Sequence, residues 1–381
     1  MIRIFHGDSR EVLRGLPSNS IDGSVTDAPY ALVSIGKRFG SQTAAPVRGE
    51  GASGVYKRAS AGFMGESWDT GETAHDPEFW AEVWRVLKPG AFLVAAAGTR
   101  TYHRLAVAIE DAGFEIRDMI TWLYGTGFPK SHNHDIGGEM HGTALKPACE
   151  PWVLARKPLA GTVAENVRLY GTGLLNIDGC RIGAAAGDEP LKWSTPRGGI
   201  WSTDAQAQAQ AQDKGRWPAN VVHDGSPEVV AAFPMSDGQR GHLTPTGRAR
   251  PSRVAYGDMG PPVAHAARGD TGSAARFFYS AKASKADRCG SLHPTVKPIA
   301  LMRWLCRLVV PPGGVVLDPF AGSGSTGAAA WREGFGAVLI EREARWVDDI
   351  RRRMAFERAM IAPTPRAVLG GVGVTGERLV A

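Results

Sequence analysis

The chain has 381 residues, 43% apolar and 22% charged, with a net charge of +6; a mild basic excess suits a polyanionic partner without selecting one. Its four cysteines (149, 180, 289 and 306) are scattered with no C-x-x-C, which excludes a disulfide framework and a structural zinc site. No run approaches 18 apolar residues and the opening "MIRIFHGDSREVL" has no apolar signal core, so a soluble, cytoplasmic protein with no membrane segment is expected.

Residues 1–127 alternate apolar strands with amphipathic helices. Strands are predicted at Ile2–Phe5, Ile21–Thr26 and Ala91–Ala97, with a fourth around Ile116–Leu123. Helices fit Ser9–Gly15, with Ser9 as N-cap, Pro77–Leu87, closed by "KPG", and Tyr102–Ala112, ending at Gly113. The stretch 36–62, rich in Gly, Ser and Ala, reads as a mobile loop.

Residues 128–290 lose that rhythm and are dense in Gly, Pro, Arg and Trp. Here "DAQAQAQAQD" (204–213) reads as a low-complexity surface excursion. In "SHNHD", His132, His134 and Asp135 have no third ligand at metal-binding spacing, so they read as solvated loop residues.

Residues 291–360 return to the first texture: a helix near Ile299–Val309, the strand "GVVLD", a Gly-rich turn, a helix from Ser325, the strand "GAVLIE" and a helix over Ala344–Arg358. The tail from Ala362 reads as poorly ordered. Alternating strands and helices at both ends predict one mainly parallel α/β sheet built from both ends of the chain. Residues 128–290 would be inserted between them.

The turn "VVLDPFAGSGSTG" satisfies G-x-G-x-x-G through Gly322, Gly324 and Gly327, and Glu341 ends the next strand. By rule this is a dinucleotide fingerprint. Two features argue against NAD and an oxidoreductase. Only 40 residues follow Glu341, too few for a second mononucleotide-binding half, and Asp318 precedes the glycines. A carboxylate there suits a cationic ligand better than a pyrophosphate. S-adenosylmethionine, with an ammonium, a sulfonium and a ribose but no phosphate, fits better.

"TDAPY" (26–30) resembles the D-P-P-Y signature of amino-group DNA methyltransferases, "DPFAGSGST" (318–326) their cofactor motif, and "HPTVKPIALMRWL" (293–305) the motif before it. The order, catalytic motif first and cofactor motif last, is that of the β subgroup. The likeness extends to "FPKS", "KPACEPW" and "RFFYSAKASKADR". It implies a Rossmann-like, S-adenosylmethionine-dependent fold, with a target-recognition region over 128–290 and double-stranded DNA as partner. It also implies a homodimer, for which the sequence shows no heptad or apolar helix face.

The resemblance gives the residues their roles. Asp27 and the carbonyl of Ala28 would each accept an N–H of an exocyclic amine, so that its nitrogen pyramidalises and aims its lone pair at the methyl group. Pro29 would hold Ala28 extended, and Tyr30 would stack on an extruded base. Asp8 is placed for the cofactor's adenine and Glu341 for its ribose hydroxyls. Phe320 would pack near it, with Gly322 and Gly324 allowing close backbone approach beside Asp318, Ala321 and Ser323. Thr295 and Lys297 would lie at its methionine end, Lys297 pairing with the carboxylate. The leading Asp favours adenine N6; cytosine-N4 enzymes, the alternative, typically carry Ser there. Ala28 replaces the family's usual Pro, which leaves a weakened, DNA-binding relative as a further alternative. Arg and Lys interleaved with Trp152, Trp193, Trp201 and Trp217 would contact the DNA.

Overall fold

The computed structural model describes residues 1–30, 73–127, 131–183, 215–237, 271–281 and 284–360. The loop predicted at 36–62, the Ala-Gln repeat, Trp193, Trp201 and the tail lie outside these residues. From the first half come β1 (Ile2–His6), α1 (Ser9–Arg14), β2 (Ile21–Thr26), α2 (Pro77–Val86), β3 (Leu87–Ala96), α3 (Tyr102–Asp111) and β4 (Glu115–Leu123). Then follow a hairpin, β5 (Asn133–Ile136) and β6 (Glu139–Gly142), β7 (Cys149–Arg156), α4 (Val163–Tyr170), β8 (Val221–His223) and α5 (Pro227–Ala232). A small ribbon pairs β9 (Met235–Asp237) with β10 (Thr271–Ser273), before the two-residue β11 (Tyr279–Ser280). The last part holds α6 (Ile299–Val309), β12 (Val315–Asp318), α7 (Ser325–Arg332), β13 (Gly336–Glu341) and α8 (Ala344–Met360).

Among the described residues one nine-stranded sheet runs in the order β1-β13-β12-β2-β3-β7-β4-β8-β11. Every neighbouring pair is parallel except the two that involve β7. As expected, both ends of the chain build it: β12 lies between β13 and β2. Successive residues point to opposite faces. Val316 and Val94 join an apolar layer with Leu301, Trp304 and Met354 under α6 and α8, while Leu317 and Leu93 join Leu13, Phe79, Trp80 and Ile109 under α1, α2 and α3. With both faces covered, β2 is buried at all six positions.

Three local readings change. Asp8, not Ser9, caps α1, accepting from the Arg10 amide at 2.8 Å, while the Ser9 hydroxyl donates to the Pro319 carbonyl. "KPG" does not form a loop after α2: β3 begins at Leu87, and Gly90, at φ +76°, bends the strand so that its amide meets the carbonyls of Lys157 and Pro158. Gly113 does sit beyond α3 with positive φ, as expected of a C′ glycine.

The third change concerns the boundary at 128. Strand β7 falls inside 128–290 yet occupies the middle of the sheet, paired antiparallel with β3 and β4, and β8 and β11 extend the sheet beyond β4. Six of the eight β7 residues are buried, because both its faces are covered; such a strand reads as a short apolar run without alternation.

From β12 the chain crosses through α7 to β13, toward one edge; from β2 it proceeds to β3, toward the other. Beyond the carboxyl ends of these adjacent parallel strands a crevice is therefore unavoidable, the usual place for a ligand in an open α/β sheet.

Candidate active site

That crevice, open to solvent, is bordered by the ends of β2, β12 and β13, by Asp8 and by the segment before α6.

The Gly-rich turn forms one wall. Asp318 is buried and accepts from the Thr26 hydroxyl at 2.7 Å, from the Phe320 amide at 3.1 Å and from the Thr326 hydroxyl. It thereby ties the tip of β12 to β2 and α7, and burial holds its carboxyl above the ordinary range. Gly322 and Glu341 meet directly: the Gly322 amide donates to Glu341 Oε2 at 2.9 Å and the Glu343 amide to Oε1 at 2.8 Å. Burial pushes the Glu341 carboxyl up to about 7, against the pull of these backbone donors. The Ala321 amide donates to the Ile340 carbonyl, and the Ser323 carbonyl accepts from buried Arg353 of α8. Phe320 packs against Phe79 and Trp80 of α2, ring centroids 5.1 and 6.5 Å away.

Gly324 begins α7 at φ +80°, and a Cβ there would lie 3.2 Å from two side-chain carbons of Ile350 and 3.3 Å from its Cα. Gly324→Ala is expected to lower stability by about 1–3 kcal/mol, through the left-handed backbone and the displaced α8. A thermal melt checks this; an unchanged melting temperature would refute it.

The other wall carries Asp27, Ala28, Pro29 and Tyr30. Asp27 and Pro29 face the crevice, and Ala28 is 2% exposed in the apolar layer under α2. The Tyr30 carbonyl accepts from the Thr101 hydroxyl at 2.7 Å. Its half-buried ring packs on the core, and its hydroxyl accepts from Lys297 Nζ at 2.9 Å. Lys297, 8% exposed at its side chain, lies 3.0 Å from Asp27 Oδ1 and 3.0 Å from Glu150 Oε1. Both contacts are close ion pairs off the hydrogen-bonding direction, so neither oxygen has a directed donor. The sequence reading placed Lys297 toward a ligand carboxylate; here its ammonium is engaged by two carboxylates of the protein. Burial pushes the Asp27 carboxyl up to about 6, with Lys297 pulling it down and Glu150 pushing it up.

Thr295 lines the crevice beside His293, its amide donating to His293 Nδ1 at 3.3 Å. That bond places the imidazole proton on Nε2. The ring stands edge-on to Trp346 at 4.8 Å, and burial drives its pKa down to about 4, so it is neutral at pH 7.

The sequence reading assigned roles to neither Glu150 nor His293. Glu150 stood in "KPACEPW", where a lone acid inside an apolar run was the available signal; His293 opened a motif already quoted. His132, His134 and Asp135 fall on or beside the exposed β5–β6 hairpin, and no His, Cys, Asp or Glu grouping able to hold a metal occurs among the described residues. Trp152 is core, whereas Trp217 is 65% exposed with the Arg181 guanidinium 5.4 Å from its ring.

The family model described as DNA methylase, the N6/N4 methyltransferases, matches residues 21–352. The chain belongs to this family. Within 200 residues this chain is 25% identical to the type II methyltransferase M.HindIII of Haemophilus influenzae, covering 45% of this chain and 64% of that one. It is also 42% identical over 71 residues to YubD of Escherichia coli K12, covering 18% of this chain and 30% of that one. The chain thus spans less than two thirds of the length of either relative. Among solved structures, the cytosine-N4-specific PvuII DNA methyltransferase is 14% identical with a TM-score of 0.43, covering 92% of this chain and 85% of that one. A likeness so distant carries no argument about substrate.

Proposed function

We propose that this methylase transfers a methyl group from S-adenosylmethionine to the exocyclic amine of a base in double-stranded DNA, at adenine N6. The observation that carries the reading is the convergence of Asp27, on the tip of β2, and the Glu341-held Gly-rich turn, beyond β12, on one crevice. The charges of that crevice suit the cofactor. Asp8, Asp27, Asp318, Glu341 and Glu343 line it against Lys297 and Arg342, a balance that repels a pyrophosphate and favours a cationic, hydroxyl-bearing ligand.

Asp8 would meet the adenine, Glu341 the ribose and Phe320 the adjoining apolar surface, with Ala321, Gly322, Ser323 and Gly324 giving backbone close to the ligand. Asp318 and Thr295 complete the enclosure. When bound, the cofactor supplies an electrophilic methyl carbon on a sulfonium, whose sulfur keeps the C–S electron pair as the new N–C bond forms. Asp27 accepts one amine N–H and the Ala28 carbonyl the other, which localises the nitrogen lone pair. Pro29 restrains Ala28 to extended backbone, so the carbonyl that replaces that of the usual Pro keeps its aim. Tyr30, its hydroxyl held by Lys297, gives a fixed aromatic wall for an extruded base. Target recognition is assigned to the parts of 128–290 outside the sheet, where Arg181 and exposed Trp217 form one basic, aromatic surface.

The test is incubation with tritiated S-adenosylmethionine and mixed genomic DNA, followed by nucleoside analysis. Label in N6-methyladenine supports the reading, label in N4-methylcytosine replaces the base, and no label on DNA overturns it. The raised Glu341 carboxyl adds a pH dependence. Below about 7 it is protonated and a poorer acceptor for hydroxyls, so cofactor affinity should rise by up to about tenfold from pH 6 to 8. Calorimetry should find Glu341→Gln weaker and flat across that range; a parallel slope in both proteins would remove Glu341 from the site.

A further inference from the structure

Lys297 has three N–H donors, and the structure gives it three oxygen neighbours: the Tyr30 hydroxyl at 2.9 Å, Asp27 Oδ1 at 3.0 Å and Glu150 Oε1 at 3.0 Å. An ammonium is neutralised by one carboxylate; a second one, buried and without a directed hydrogen bond at Oε1, is unfavourable for stability alone. Topology delivers it deliberately close. Because β7 runs antiparallel to its neighbours, its beginning lies at their carboxyl ends, where Glu150 stands opposite Trp122. No parallel strand would bring its second residue to the crevice.

Resting on the methyl-transfer reading above, we infer that Glu150 is a positioning residue: by sharing Lys297 with Asp27 it leaves the cluster one net negative charge, which favours the positive charge that develops on the attacking amine. With Lys297 paired to Asp27 alone the cluster would be neutral, and Asp27 a weaker acceptor. An amine that gains a methyl group is cationic until it releases a proton to water, so the charge matters most in the transition state. Among the described residues the groups facing Asp27 and Lys297 are few. Tyr30 follows β2, Tyr124 follows β4, Glu150 is on β7, and His293 precedes Lys297. Burial keeps both tyrosines protonated and His293 neutral at pH 7, so Glu150 is the only one of them that adds a charge to the Asp27–Lys297 pair.

Glu150→Gln keeps shape and removes the charge. Its expected kcat is about 10–100-fold lower with KM for DNA within about twofold, a loss confined to the transition state. The acidic limb of the kcat profile, near 6 in the wild type, should move down by about one unit because Asp27 loses a repelling neighbour. Glu150→Asp, which restores the charge, should recover most of kcat. Independently of turnover, carbon-13 carboxylate NMR of the free protein, with Asp27→Asn to assign the signal, should show the same downward shift. The inference falls if Glu150→Gln retains wild-type kcat and acidic limb. It falls equally if the Gln and Asp variants lose the same activity with the limb unmoved, the mark of a packing role. Absence of any methylation by the wild type would instead sink the methyl-transfer reading, while the NMR shift still decides whether Glu150 acts on Asp27.

Discussion

Asp27→Asn is expected to lower methyl transfer by at least about a thousandfold while raising stability above neutral pH. The rate falls because the amide turns an acceptor into a donor at the atom meant to receive an amine N–H. Stability rises because burial holds the native carboxyl up at about 6. A carboxyl raised in the folded state contributes stability below its unfolded pKa and loses it as pH rises through the folded one. At pH 8 the wild type has lost it, and the neutral variant has not. The gain should be on the order of 1–2 kcal/mol at pH 8 and close to nothing at pH 4. Melts at the two pH values, with retention of labelled cofactor as a check on the crevice, make the comparison. Equal destabilisation at both would show Asp27 to be a structural anchor.

Lys297→Met should have the opposite sign. Removing the cation leaves Asp27 and Glu150 buried side by side, with like charges unopposed. Loss of one partner from a buried ion cluster costs about 3–5 kcal/mol. The Asp27 carboxyl then rises further, so the deficit is small near pH 5, where it is protonated, and grows as pH passes through its raised value. Activity at pH 7 should vanish with the ionised Asp27. Denaturant titrations at pH 5 and 8 test this; a deficit independent of pH would mean that the ammonium serves only as a spacer.

The sheet was legible where the chain alternates and where motifs mark the strand ends. β2, β12 and β13, with Asp27, the glycines and Glu341, stand close to where the sequence put them. β7 was not, because a strand buried on both faces inside a Gly- and Pro-rich stretch offers no period to read. The partners of Lys297 were hidden for a different reason. Its pairing with Asp27 and Glu150 joins three distant segments, and only the strand order says which carboxylates meet it. The Asp8 carboxylate caps α1 and also borders the crevice, a double position that only the packing of α1 against β13 reveals.

The position of β12 also governs how the molecule comes into being. β2 finds its neighbour β12 only when residues near 315 exist, and β1 finds β13 only some twenty residues later. Until then a growing chain carries β2 paired on one edge only, with β3, and β1 with no strand partner, the condition that invites intermolecular pairing. Contacts of such sequence separation also make folding slow. Synthesis halted before β12 would yield neither half an enzyme nor a smaller stable domain, but an aggregating fragment whose rescue depends on supplying the missing C-terminal segment in trans.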